Sequence, residues 1–167
     1  MPLPRSVGRE RDCRYARDVG AGLAVVLQET YREKTKLPQE TSYIKSYVYG
    51  LHLISVYTDD LEHGTAAQDY YFGDGLGSTV ILARDSASNE AAAWTYDAFG
   101  EVRGKSGMLS TNFLFSGEQF DAKARPPQAG KDVDLYYLRA RYYDPTSGGP
   151  GGIRAHDSRI KRHRLRG

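Results

Sequence analysis

A turn motif that occurs twice, each time directly after an aromatic strand, constrains the fold of this chain more than any other feature. Asp74 and Asp97 lie 23 residues apart, and each precedes a glycine by three positions, at Gly77 and Gly100. These are the preferences of a type I β-turn, in which the carboxylate accepts local backbone N–H groups and the glycine adopts a positive φ. Each copy therefore predicts a strand, a tight reversal and a second strand, and stacked copies would share one continuous sheet.

The segments around these turns alternate with the period of two that is typical of β-strands, most clearly over residues 43–49. The 13 tyrosines and 18 glycines agree with strands and turns, because tyrosine suits a sheet that is apolar on one face and wet on the other. We expect an all-β fold, an antiparallel β-hairpin meander. Its strands are predicted over 23–31, 43–49, 51–58, 68–72, 79–84, 91–96, 113–115 and 135–143, with loops over 59–67, 101–111 and 121–132.

The ends of the chain differ from its middle in charge. Residues 153–167 carry a net charge of +5, whereas the whole chain carries +2. We expect an irregular, arginine-rich leader over 1–18, a β region over 19–148, and a disordered Gly/Arg-rich basic tail over 149–167. No signal-peptide pattern is visible, no apolar run is long enough for a membrane-spanning helix, and the single cysteine, Cys13, excludes a disulfide within the chain.

Five motifs in a fixed order connect the chain with a known family. Tyrosine-aspartate followed by a turn glycine resembles the signature of YD repeats, and the order of the motifs over about 25–148 is most similar to the core region associated with Rhs repeats. Toxin-complex B–C components and teneurins carry related repeats. The motifs are Tyr47-Val48-Tyr49-Gly50-Leu51, Asp74-Gly75-Leu76-Gly77-Ser78, Tyr96-Asp97-Ala98-Phe99-Gly100, the run from Phe115-Ser116-Gly117 to Asp121, and the run from Leu135 to Tyr143-Asp144-Pro145.

The resemblance implies an architecture and a role. In such bacterial proteins, long β-hairpins spiral into a shell that encloses a toxic C-terminal polypeptide before delivery. This chain is then expected to be a non-enzymatic, structural part of the shell, secreted or at the cell surface. Its implied partners are other hairpins of a longer chain, a second copy of itself, or the toxin polypeptide.

The chain departs from the family pattern after Gly148. The family continues with a stretch that holds two aspartates for self-cleavage, whereas here the sequence changes to Gly149-Pro150 and then to the basic tail. Asp157 is the only late carboxylate, and its neighbours do not fit either aspartate. The abrupt change suggests a reading-frame change or a recombination junction, so that the chain is a fragment. Aspartyl self-cleavage stays open as an alternative.

Two binding alternatives also stay open. On a single strand, Arg139, Arg141 and Tyr143 would share one face, with Tyr142 on the other, and such a surface could stack on the sugars of a glycan. The competing interpretation pairs these arginines with acids on neighbouring strands. The basic tail could bind nucleic acid, although charge alone specifies no partner and we expect none.

The remaining candidate sites have ordinary explanations. The glycine run from Gly73 to Ser78 is followed by a strand, whereas a phosphate loop needs a helix. The four histidines are scattered, and Asp59-Asp60 with Glu62 is typical of a solvated loop. We therefore expect no catalytic residue, metal or cofactor. The residues expected to matter are those of the turns and motifs: Asp74, Gly75, Gly77, Ser78, Tyr96, Asp97, Phe99, Gly100, Gly117, Asp144 and Pro145.

Overall fold

The computed structural model of the chain describes residues 10–18, 25–34, 41–86, 90–124, 133–138 and 142–147. Over these residues the fold is all-β, as the sequence predicts. An eight-stranded sheet follows the chain order from β1 to β8, and a second sheet has the order β11-β10-β9. The strands are β1 (Glu10–Asp18), β2 (Val25–Lys34), β3 (Thr41–Tyr49), β4 (Leu53–Asp60), β5 (Thr65–Gly73), β6 (Thr79–Arg84), β7 (Ala91–Tyr96), β8 (Val102–Gly107), β9 (Gln119–Ala124), β10 (Val133–Tyr137) and β11 (Tyr142–Tyr143).

The chain divides into two compact units. Among the described residues, unit 1 contains 10–18, 25–34, 41–47 and 56–67, and unit 2 contains 48–55 and the described residues from 68 to 147. In unit 1, Tyr31 and Tyr43 are opposite each other on β2 and β3 and stack with ring centroids 4.9 Å apart. The Tyr47 hydroxyl donates to the buried carboxylate of Glu29 over 3.1 Å. Cross-strand pairs therefore contribute to the packing of the described residues of this unit.

The main hydrophobic core belongs to unit 2. One face of the β6–β7 region supplies Leu82, Ala92 and Trp94, and later segments supply Leu109, Leu114 and Tyr136. Trp94 is only 5% exposed. Alternation along β6 and β7 explains this core, because every second side chain of a strand points to the same face.

The start of the chain differs from the expected irregular leader. Residues 10–18, within the range 1–18, form β1, which pairs with β2 in an antiparallel register that places Asp12 opposite Arg32. β1 is an edge strand rich in charge, and edge strands tolerate charged residues because one side of their backbone has no neighbour. Its sequence therefore carries no apolar alternation that would have revealed it.

Two later segments also differ from prediction. Val102–Gly107 forms β8 instead of a loop, and it does so by pairing with β7 rather than through apolar residues of its own. Within the expected loop over 121–132, residues 121–124 belong to β9, and residues 125–132 lie outside the described part.

The predicted single strand over 135–143 is wrong, because β10 and β11 form a hairpin. Tyr136 pairs with Tyr143, and Tyr137 pairs with Tyr142. Both halves are rich in tyrosine, and the connecting residues 138–141 contain no glycine, proline or asparagine, so the pattern carries no signal of the reversal. The basic tail over 149–167 lies outside the described residues.

Candidate functional site

The two aspartate turns have the same side-chain hydrogen bonds. Oδ1 of Asp74 accepts the backbone N–H groups of Leu76 (2.9 Å) and Ser78 (2.8 Å). Oδ1 of Asp97 accepts those of Phe99 (2.9 Å) and Glu101 (3.0 Å). In each turn, one carboxylate oxygen thus accepts the backbone N–H groups of the residues two and four positions after the aspartate.

The backbone of the two turns is also the same. The N–H of Gly77 donates to the Asp74 carbonyl over 3.0 Å, and that of Gly100 donates to the Asp97 carbonyl over 3.2 Å. The glycines have φ of 82° and 90°, which side chains strongly disfavour. This is a type I turn followed by a left-handed residue, a common way to close a hairpin with a short loop.

A third turn has the corresponding backbone hydrogen bonds without an aspartate, but its conformation differs at Ser116. The N–H of Gly117 donates to the Leu114 carbonyl, and the N–H of Leu114 donates to the Glu118 carbonyl, both over 3.1 Å. Gly117 has φ of 66°, and Ser116, with φ of 55°, is the one non-glycine residue with positive φ in the described chain. Sequence reasoning placed Gly117 in a motif but missed the turn, because leucine stands where the aspartate would be; the glycine was its only signal.

The first and third turns are joined directly. The N–H of Thr79 donates to the Leu114 carbonyl over 3.0 Å, and the Thr79 hydroxyl donates to the Phe113 carbonyl over 2.7 Å. The Ser78 hydroxyl oxygen accepts the N–H of Ser116 over 3.0 Å, and Ser78 is fully buried. Ser78 therefore joins the two turns, which explains why a small hydroxyl side chain stands there.

Aromatic residues attach the second turn to the same cluster. The Tyr136 hydroxyl donates to the Gly100 carbonyl over 2.9 Å, and the Tyr143 hydroxyl donates to the Phe99 carbonyl over 2.8 Å. Phe115 lies between Tyr96 and Tyr136, with ring centroids at 5.8 and 6.1 Å. We call the three turns and these aromatic residues the turn cluster.

The electrostatics of the turn cluster are those of satisfied hydrogen bonds. Burial alone would raise the pKa of Asp74, but the N–H groups of Ser78 and Leu76 outweigh it and lower the pKa below 3.8. The pKa of Asp97 is lowered in the same way, since burial is outweighed by the N–H groups of Phe99 and Glu101 and by Arg103 at 2.9 Å. Burial raises the pKa of Tyr136 to about 12, so its hydroxyl remains a donor.

Beside the first turn is a pocket of about 290 Å³. Two of its polar side chains are already engaged: Asp74 holds its own turn, and the Tyr71 hydroxyl is 2.7 Å from the Thr111 hydroxyl. The described residues hold no group of three histidine, cysteine or acidic side chains suited to a metal ion. The pocket is lined by His52, Leu53, Ile54, Tyr71, Gly73, Asp74, Gly77, Thr79 and Gly117.

The structure describes two of the four residues of the predicted glycan surface, Tyr142 and Tyr143. Tyr142 is only 8% exposed, so it cannot offer a ring face to a sugar, and the Tyr143 hydroxyl is used in the turn cluster. Arg139 and Arg141 lie outside the described residues. Asp144 accepts the N–H and the hydroxyl of Thr146 at 2.9 and 2.6 Å, and Pro145 begins a 3₁₀ turn, Pro145–Ser147.

The predicted solvated loop contains an ion pair that the sequence did not reveal. Asp60 accepts the N–H groups of Glu62 and His63 with one oxygen and contacts the His63 ring with the other at 2.9 Å. Hydrogen bonding to Asp60 and its negative charge raise the pKa of His63. The pair lies in the exposed turn between β4 and β5, and its hydrogen bonds hold the backbone of this turn in place.

Comparison with known proteins gives three relatives. No family model and no solved structure matches the chain. It is 29% identical over 109 residues to the tRNA3(Ser)-specific nuclease WapA of Bacillus spizizenii and 28% identical over 107 residues to the tRNA(Glu)-specific nuclease WapA of Bacillus subtilis subsp. natto. It is 27% identical over 82 residues to the tRNA nuclease WapA of Bacillus subtilis. These matches cover 62%, 62% and 47% of this chain, but only 4%, 4% and 3% of the relatives.

These names contradict one expectation from the sequence. The chain was expected to be non-enzymatic, yet all three relatives are named as tRNA nucleases. The comparisons therefore show similarity to a small segment of large tRNA nucleases of Bacillus.

In the described part of the chain, no helix has the length and apolar character needed to span a membrane.

Proposed function

We propose that this chain is a segment of the YD-repeat β-scaffold of a large tRNA-nuclease toxin. The observation that carries the proposal is the repeated turn, with the same hydrogen bonds at Asp74 and Asp97 and the corresponding backbone hydrogen bonds again at Leu114. A turn repeated in this way extends a meander by one hairpin at a time, which is what a long β-scaffold requires.

The relatives supply the nuclease part of the proposal. They are named as tRNA nucleases, and the matched segment is a few per cent of their length. In the proposed role, the scaffold encloses the toxic polypeptide until delivery, and tRNA in a neighbouring cell is the final substrate. The location is then the cell surface or the medium.

A co-culture experiment tests this role. The bacterium that encodes the chain, with the gene intact or deleted, is grown with a marked recipient, and tRNA from the recipient is examined by northern blot. We expect tRNA cleavage in the recipient that disappears with the deletion. Equal cleavage with and without the gene would overturn the proposal.

Matched glycine variants test the scaffold itself. A Cβ at Gly100 would lie 2.5 Å from Cδ1 of Phe115, whereas a Cβ at Gly75 meets nothing within 4 Å. Gly100→Ala should therefore abolish delivery and Gly75→Ala should preserve it, with the amount of protein measured by immunoblot. Full delivery by Gly100→Ala at normal protein level would show that the turn cluster is not part of the function.

A further inference from the structure

The pocket beside the first turn has the size of one long side chain. Its volume is about 290 Å³, at the lower limit of the roughly 300–1,000 Å³ that small-molecule sites occupy. Three of its nine lining residues are glycines, at positions 73, 77 and 117, and their lack of side chains leaves the space open. The pocket is therefore small for a cofactor but large enough for a single side chain of a polypeptide.

The charge of the pocket favours a cation. Asp74 is the only acidic residue that lines it, and none of the described residues in the lining is a lysine or an arginine. Burial would raise the pKa of Asp74, but the N–H groups of Ser78 and Leu76 outweigh it and lower the pKa, so the carboxylate is ionised at neutral pH. Both hydrogen bonds are on Oδ1, and a carboxylate accepts further donors on its second oxygen. The pocket therefore offers a negative charge to an occupant.

The side chains around Asp74 suit arginine in particular. The Tyr71 ring lines the pocket, and its hydroxyl is 2.7 Å from the Thr111 hydroxyl, which fixes the position of the ring. Leu53 and Ile54 add aliphatic surface. An arginine has a planar cation that stacks on aromatic rings and pairs with carboxylates, on a stem that packs against apolar groups. The lining thus matches each part of an arginine side chain.

The chain itself supplies such arginines. Its basic tail, residues 149–167, holds five arginines and Lys161 against one acid, Asp157. The described residues of unit 2, by contrast, hold ten acidic and four basic side chains. The opposite net charges of the two segments therefore favour contact between the tail and unit 2.

The tail also begins close enough to reach the pocket. The last described element is the 3₁₀ turn Pro145–Ser147, which lies against β10. Tyr136 of β10 is bonded to the second turn, and the turn cluster extends from there to Gly117 at the pocket. Arg154 is seven residues beyond Ser147. An extended chain of that length spans up to about 23 Å, and the later arginines reach further.

From the size, charge and position of the pocket, we propose that an arginine of the chain's own basic tail binds there, with its guanidinium on Asp74 and its stem against Leu53 and Ile54. The carboxylate of Asp74 then has two roles, since Oδ1 holds the turn and its charge holds the tail. The contact is reversible and weakens with salt, because an ion pair near the surface is screened. The inference does not depend on the proposed function, since it concerns the chain by itself.

A spin label in the tail tests this contact in the full chain. In a Cys13→Ser background, Ser158→Cys carries a nitroxide, and the amide signals of the isotope-labelled chain are compared before and after reduction of the nitroxide. At low salt we expect strong broadening of the amide signals of Gly77 and Gly117. The broadening should disappear at about 1 M salt, where the Debye length is about 3 Å.

Two turn variants provide a matched control. Asp74→Asn keeps a side-chain acceptor for the turn but removes the charge, so it should reduce the broadening at Gly77 at least about fivefold. Asp97→Asn makes the same change in a turn that does not line the pocket, so it should leave the broadening unchanged. The amide signals of β6 show that both variants are folded.

Trypsin identifies the arginine that occupies the pocket. The protease must bind the side chain at which it cleaves, so an arginine held in the pocket is cleaved only when it is released. At low salt, one arginine of the tail should therefore be cleaved at least about fivefold more slowly in the wild type than in Asp74→Asn. Intact mass of the first products measures the rate at each arginine.

Three results would overturn the proposal. The first is the absence of broadening at Gly77 and Gly117 at low salt, and the second is broadening that persists in Asp74→Asn. The third is broadening in a mixture in which one chain carries only the nitroxide and the other only the isotope, because the tail of a second copy would then occupy the pocket.

Discussion

At the scale of single residues, Gly100 is under two constraints. Its φ of 90° disfavours any side chain, and a Cβ there would lie 2.5 Å from the Phe115 ring. Backbone strain and close packing therefore act on the same atom. Gly75 is in the neighbouring turn and has neither constraint.

We predict that Gly100→Ala lowers the free energy of unfolding by about 2–4 kcal/mol, from the left-handed backbone together with overpacking. Gly75→Ala should change it by less than about 1 kcal/mol, because no atom must move. Urea unfolding followed by Trp94 fluorescence measures both. Equal effects of the two substitutions would contradict the packing account.

The turn aspartates predict a pH dependence. The pKa values of Asp74 and Asp97 are lowered below 3.8 in the folded chain, so both carboxylates contribute stability above that value. This contribution is lost as the pH falls through the folded-state pKa values. Asp74→Asn with Asp97→Asn should flatten the decrease of stability below about pH 4, because an amide accepts the same hydrogen bonds without titrating. Urea unfolding at a series of pH values between about 7 and about 2.5, the range in which carboxylates titrate, measures this dependence. An unchanged decrease of stability at acidic pH in the double variant would contradict the prediction.

At the scale of secondary-structure elements, the β10–β11 hairpin is attached to the second turn by two tyrosine hydroxyls on consecutive carbonyls, at Phe99 and Gly100. The two bonds differ in burial. Tyr136 is 1% exposed, whereas the bond of Tyr143 is open to water.

The difference in burial predicts different costs. Tyr136→Phe leaves the Gly100 carbonyl without its buried donor and should cost about 1–2 kcal/mol. Tyr143→Phe should cost less than about 0.5 kcal/mol, because water replaces the hydroxyl. Thermal unfolding of the two variants tests the order, and a larger effect of Tyr143→Phe would show that the attachment depends on the outer bond.

An ion pair joins β5 to β6. Two nitrogens of Arg84 contact the two oxygens of Asp69 at 2.7 and 3.0 Å, and the Asp69 side chain is 8% exposed. Arg84→Met should cost about 3 kcal/mol, because it leaves a buried carboxylate without its cation. The double variant Asp69→Leu/Arg84→Met should be more stable than Arg84→Met alone. Urea unfolding measures the free energy of unfolding of both variants. If the losses from the two substitutions add, so that the double variant is less stable than Arg84→Met, the explanation is contradicted.

At the scale of the whole molecule, the chain divides into two compact units, and the main hydrophobic core lies in unit 2. Strands β6 and β7 supply one side of this core, and the later segments that hold Leu114 and Tyr136 supply the other.

Prediction from the sequence succeeded where the signal is local. The all-β class and the meander follow from alternation and from turn residues, which act over four or five positions. The charged edge strand β1 carries no such alternation. The hairpin within 135–143 was missed because residues 138–141 contain no glycine, proline or asparagine, and the turn at Leu114 was missed because leucine stands where the aspartate would be. The burial of Tyr142 could not be predicted, because burial depends on what packs above a strand.

The sequence by itself determined that the chain forms antiparallel strands closed by Asp-x-x-Gly turns, because a carboxylate and a glycine three positions apart define a turn through bonds to their own backbone. Only the tertiary structure decided what those turns touch. The bond from Ser116 to Ser78 spans 38 residues, and that from Tyr136 to Gly100 spans 36. Contacts over such separations depend on how the strands pack, and for that reason the turn cluster became visible only in the folded chain.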